Sequence, residues 1–97
     1  MRNMRLTNTQ SEIITRILRK NLGDDAQVWL FGSRTDEAKR GGDIDVYVEA
    51  APHALQSELR CKIEIEDSLD MPVDLIVRAY GDSSPIANIA KASGVRL

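Results

Sequence analysis

Residues 31–48 read FGSRTDEAKRGGDIDVYV. Asp43 and Asp45 stand one residue apart in a run that otherwise reads as a buried strand. Alternation along DIDVYV (43–48) puts Ile44, Val46 and Val48 on one face and Asp43, Asp45 and Tyr47 on the other. The two carboxylates then share a face with Cβ atoms roughly 7 Å apart, close enough to converge on one point between them. Upstream, QVWLF (27–31) reads as a short buried strand running straight into Gly32-Ser33. Backbone N–H groups at such a strand-to-helix turn make an anion site. SRTDEAKR has room for a turn or two of helix with Ser33 as N-cap, closed by Gly41-Gly42.

Working outward, VDLIV (73–77) is a third strand with one aspartate among apolar residues. If Val73, Leu75 and Val77 face the core, Asp74 faces the other way, and a neighbouring strand lies about 4.8 Å off. Asp74 then joins Asp43 and Asp45. Three carboxylates that close repel one another, and a divalent cation relieves the repulsion. All-oxygen ligands suit Mg²⁺ or Mn²⁺. A phosphate-binding turn beside such a cation is the equipment of phosphoryl or nucleotidyl transfer.

Helices fill the remaining segments. Thr9 with Glu12 offers a capping box for a first helix, Ile13, Ile14, Ile17, Leu18 and Leu22 form its apolar stripe, and Gly23 stops it. A longer helix is expected over roughly 53–69, after Pro52, with Leu55, Leu59, Ile63 and Leu69 facing the core. A last helix starts at Ser84-Pro85 and ends before Gly94. The expected fold is a small α/β sandwich with a mixed sheet of three or more strands and flanking helices. The link between the first two strands is close to the shortest that permits a parallel crossover, hence the mixed sheet.

Bulk properties bound the function. A chain of 97 residues suits one domain spanning 1–97 with a thin core. A net charge of −2 gives no general pull on nucleic acid. The single Cys61 forms no internal disulfide, which fits a reducing, cytoplasmic setting. The N-terminal residues lack the apolar run of a signal peptide, and no segment approaches membrane-spanning length. Trp29 reads as core. Tyr47 either lines the site or packs under a helix. His53 reads as solvated, Cys61 as a small buried apolar residue, and KIEIED (62–67) as a solvated helix face.

The combination FGSR…GGDIDVYV…VDLIV resembles the minimal nucleotidyltransferases of the DNA polymerase β superfamily, over roughly residues 27–78. The resemblance implies that Asp43, Asp45 and Asp74 hold Mg²⁺ or Mn²⁺, with Asp74 helping to deprotonate the attacking hydroxyl. It implies that Gly32 and Ser33 bind the β- and γ-phosphates of an NTP, with Arg34 adding a contact to the triphosphate. Many relatives carry a basic residue where this chain has Asp36, so Arg34, Lys39 or Arg40 is left to offset Asp36 and Glu37. Minimal members are typically encoded with a helical HEPN-type partner in toxin–antitoxin pairs. The implied function is therefore transfer of a nucleotide, AMP from ATP, to a tyrosine hydroxyl of such a partner. The alternatives are a non-catalytic neutralising subunit that keeps the fold, and nucleotidyl transfer to a small molecule.

Overall fold

The computed structural model describes residues 7–31 and 44–97. In chain order these form α1 (Asn8–Leu22), β1 (Gln27–Phe31), β2 (Ile44–Glu49), α2 (Leu55–Leu69), β3 (Val73–Arg78), α3 (Pro85–Ser93) and β4 (Val95–Arg96). The expected short helix after Ser33, with its Gly41-Gly42 stop, lies outside the described residues.

The sheet has the order β3-β2-β1-β4. β1 runs antiparallel to both β2 and β4, whereas β2 and β3 are parallel. The mixed sheet is thus as expected, and α2 is the crossover between its parallel pair. β4, only two residues long, escapes notice in the sequence. Gly94 admits it by close approach: a Cβ there would collide with the Ala90 carbonyl oxygen and stand 2.8 Å from the Leu30 carbonyl oxygen.

Strand alternation sorts side chains onto two faces. Ile44, Val46 and Val48 of β2, with Val28 and Val73, pack against Ile14, Leu18 and Leu22 of α1 and Cys61, Ile65 and Leu69 of α2. Tyr47, Trp29 and Phe31 pack on the opposite face under Ala87 and Ala90 of α3. Trp29 is therefore core, and Tyr47 lies under a helix with no exposed surface. Cys61 is buried as expected.

Three sequence expectations need correction. The capping box of α1 is formed by Thr7 and Gln10, two residues before the expected pair: each side chain bonds the other's backbone N–H at 3.0 Å. The helix begins one turn's fraction earlier because this Thr-x-x-Gln box satisfies two orphan donors as well as Thr-x-x-Glu would. Second, α2 starts at Leu55 behind an Ala54 N-cap that has no side-chain cap bond. Third, Leu55, Leu59 and Ile63 do not face the core; they are 75%, 57% and 59% exposed. Cys61, Ile65 and Leu69 hold the buried side of α2 instead. Asp70 ends α2 in the left-handed region at φ 57°, its N–H returning to the Glu66 carbonyl.

The ends of α3 match expectation: the Ser84 side chain accepts from the Ala87 N–H, Pro85 follows, and Gly94 closes the helix. Among the described residues, no helix is long and apolar enough to cross a membrane.

Candidate active site

The two described aspartates of the motif meet on the sheet. In the parallel pairing of β2 and β3, Asp45 and Asp74 are direct register partners. On its other side, Asp45 pairs with Phe31, the last described residue before Gly32 and Ser33. Ile44 and Val46 are buried in the core beneath one face, and Val73 is buried there too, so Asp45 and Asp74 belong to the opposite face. That is the face of Tyr47, as alternation requires. Asp45 is half-buried and Asp74 is exposed. Asp45 is engaged in an interaction of its own.

Two carboxylates on adjacent strands at about 4.8 Å backbone spacing repel each other and suit a hard, oxygen-seeking cation. The donor chemistry of Asp45 and Asp74 therefore fits a divalent metal. Among the described residues no third His, Cys, Asp or Glu joins them. Asp43, Gly32, Ser33 and Arg34, and with them Asp36, Lys39 and Arg40, lie outside the described residues.

Farther along the same face runs a buried polar network that the sequence did not reveal. The Tyr47 hydroxyl donates to Glu49 Oε2 at 2.7 Å. The Gly81 N–H donates to Glu49 Oε1 at 3.1 Å, and Lys91 Nζ lies 2.5 Å from Oε2. Glu49 is only 2% exposed. Burial alone pushes its carboxyl up, but the bonds from Lys91, Tyr47 and the Gly81 N–H outweigh burial and hold it below the usual carboxylate range. Burial first, then the Glu49 bond and its negative charge, push the Tyr47 phenol upward, so it stays protonated and donates. Lys91 also donates to the Asp82 carbonyl at 3.1 Å and lies 5.9 Å from the Trp29 ring centroid. The network ties α3 and the Gly81 turn to β2, four residues from Asp45 and on the same side of the sheet. Its only sequence signal is a Glu at the strand position two beyond Tyr47, which alternation places under α3 rather than in solvent.

His53 is a second unforeseen feature, half-buried rather than solvated. Its Nδ1 lies 2.6 Å from the Ala51 carbonyl oxygen and its Nε2 lies 2.7 Å from Glu58 Oε2. Both partners offer acceptor oxygens, so the imidazolium form, which donates from both ring nitrogens, satisfies both contacts. The Ala51 carbonyl raises its pKa most, burial opposes this, and Glu58 adds to the rise. The ring clasps the loop after β2 to the first turn of α2, where no side-chain cap exists.

Comparison with known proteins gives the family and the fold. Residues 11–97 match the family model described as a nucleotidyltransferase domain. No curated protein matches. A crystal structure of a toxin–antitoxin with AMP-PNP is 26% identical, with a TM-score of 0.71 over 93% of this chain and 72% of that one. The tri-AMPylated HEPN toxin in complex with its MNT antitoxin, from Shewanella oneidensis, is 23% identical with a TM-score of 0.71, covering 94% of this chain and 71% of that one. The toxin–antitoxin MntA-HepT gives 22% identity and a TM-score of 0.71, over 93% and 70% of the two chains. At those two identities the likeness speaks for the fold. With the family model spanning nearly the whole chain, and Asp45 and Asp74 side by side on a mixed sheet of the matching fold, this chain belongs to the nucleotidyltransferase domain family.

Proposed function

We propose that this nucleotidyltransferase transfers AMP from ATP to a tyrosine hydroxyl of a helical HEPN-type partner protein and acts as that partner's antitoxin. The observation that carries the reading is the register pairing of Asp45 with Asp74. The 26% identical toxin–antitoxin structure with AMP-PNP supports a nucleoside triphosphate as substrate. The AMPylated HEPN toxin with its MNT antitoxin, a fold match, supports the acceptor class.

In this reading Asp43, Asp45 and Asp74 hold Mg²⁺ or Mn²⁺. The cation, when bound, offsets negative charge on the α-phosphate and on departing pyrophosphate. Gly32 and Ser33 receive the β- and γ-phosphates on backbone N–H groups, and Arg34 adds a charge-assisted contact. The acceptor oxygen forms a bond to the α-phosphorus while the bond between that phosphorus and the α–β bridging oxygen breaks. Asp74, which is exposed, accepts the hydroxyl proton. The products are AMP in phosphodiester linkage to the acceptor, and pyrophosphate.

The test is incubation of the domain with Mg²⁺, the co-encoded helical partner and ATP labelled at the α-phosphate. Label on a partner tyrosine with wild type, and its loss with Asp45→Asn, is the expected result. If wild type and Asp45→Asn both leave the partner unlabelled yet neutralise it equally, the domain is a binding subunit and the transfer reading fails.

A further inference from the structure

Outside the aspartate site, α1 carries an open cleft of ≈ 380 Å³ lined by Ser11, Glu12, Thr15, Arg16, Arg19 and Leu97. Its volume falls at the small end of the range of ligand pockets. Arg19 is half-buried, and its Nε is closed off from solvent with no hydrogen-bond partner. A buried donor on a charged group left unmade is costly, and native structures explain such groups by a water, an ion or a ligand. Arg16, on the neighbouring position of the same helix face, is exposed. Among the described residues neither arginine makes an ion pair, although Lys20 next along α1 pairs with Glu64 at 3.4 Å. The cleft therefore holds two guanidinium groups that make no ion pair among the described residues, one of them with a buried Nε.

The lining also selects among anions. Leu97 and the aliphatic stems of the arginines give the cleft apolar wall. Ser11 and Thr15 bring hydroxyls, but the Thr15 hydroxyl is already spent on the Ser11 carbonyl at 2.8 Å. Glu12 on the same lining disfavours a dianion such as phosphate. A guanidinium fork matches a planar carboxylate in a bidentate pair. We infer that this cleft binds a carboxylate carried on a short aliphatic body, with Arg19 as the anchoring donor and Arg16 as the outer one. Such a group comes either from a small aliphatic acid or from an acidic side chain of a partner protein flanked by apolar residues. The inference does not depend on the transfer reaction, and its failure leaves that reading untouched.

The test reads the arginine Nε–Hε resonances of the ¹⁵N-labelled full chain, assigned through Arg16→Gln and Arg19→Gln. Sodium isovalerate stands for the free acid, N-acetyl-Leu-Asp-Leu-amide for the side chain, and sodium acetate, phosphate and chloride are the comparison anions. The expected result is a saturable shift of the Arg19 resonance with isovalerate or the peptide, half-complete below about 10 mM. Acetate, lacking the aliphatic body, is expected to bind about tenfold more weakly, and chloride to give no saturation. The tighter of the two main probes assigns the source. Arg16→Gln, an exposed substitution that spares the fold, is expected to weaken binding several-fold while leaving the melting temperature unchanged. Equal shifts for all anions, tighter binding of phosphate, or no shift with any probe would each overturn the inference. In the last case the Arg19 donor is met by water alone.

Discussion

At Glu49 a single carboxylate receives three donors from three different parts of the chain. Removing one partner of a buried, hydrogen-bonded charge pair costs about 3–5 kcal/mol, because the remaining charge is left without compensation. Lys91 is 30% exposed on its side chain, so the lower end of that range applies. Glu49→Ala should therefore lower stability by about 3 kcal/mol in chemical denaturation. Its pH signature has a definite sign. The folded-state pKa of Glu49 is depressed, so its contribution is present above the unfolded value and is lost as pH falls through the folded one. Glu49→Gln should flatten the acid limb of the stability curve below about pH 5; an unchanged limb would mean that other carboxylates govern it. Asp74 behaves oppositely. It faces Asp45 across the strands, and like charges directly opposite destabilise a sheet. In metal-free buffer Asp74→Asn should raise stability by about 0.2–1 kcal/mol while abolishing transfer. A loss of stability would show that Asp74 is a structural residue.

Between residue and fold stand the elements, and α2 shows how far sequence reading reaches. Its apolar residues lie in two rows, Leu55–Leu59–Ile63 and Cys61–Ile65–Leu69. The rows are offset by two positions, so they lie on nearly opposite sides of the helix. Periodicity finds both and cannot choose; the greater bulk of the first row points to the wrong one. Packing on α1 and the sheet decides for the second. Leu59→Glu should thus change stability by no more than about 0.5 kcal/mol. Ile65→Ala, fully buried, should cost about 2–5 kcal/mol. The reverse order in urea melts would put the expected row back in the core. The start of α2 depends on His53. Its pKa is raised in the fold, so the clasp is fully present below the ordinary histidine value and is lost as pH rises through the raised one. Amide exchange in the first turn of α2, corrected for its intrinsic pH dependence, should accelerate as pH rises above neutrality in wild type. In Glu58→Gln that pH dependence should shrink.

The architecture of the whole molecule was legible because each strand carries its own face code. Alternation placed Ile44, Val46 and Val48 on the core side, and Val73, Leu75 and Val77 with them, before any pairing was known. Asp45 and Asp74 followed onto the opposite face from the same two-residue period. Their direct opposition required the register of a parallel pair, which alternation alone does not set. The Glu49 network and β4 were illegible for related reasons. One depends on α3 and the Gly81 turn folding back over β2, the other on the backbone passing Gly94 at van der Waals distance. Gly32, Ser33 and Asp43 lie outside the described residues, so the phosphate half of the site is read from the motif in the sequence.

The central claim is that Asp45 and Asp74 form one cation site serving nucleotidyl transfer. Mn²⁺ binding, followed by loss of the free-ion paramagnetic signal on titration with protein and a non-hydrolysable ATP analogue, tests it most directly. Wild type should bind Mn²⁺ and gain thermal stability with it, by linkage, and Asp45→Asn and Asp74→Asn should each weaken binding at least about tenfold. Equal Mn²⁺ binding by wild type and both variants would contradict the account.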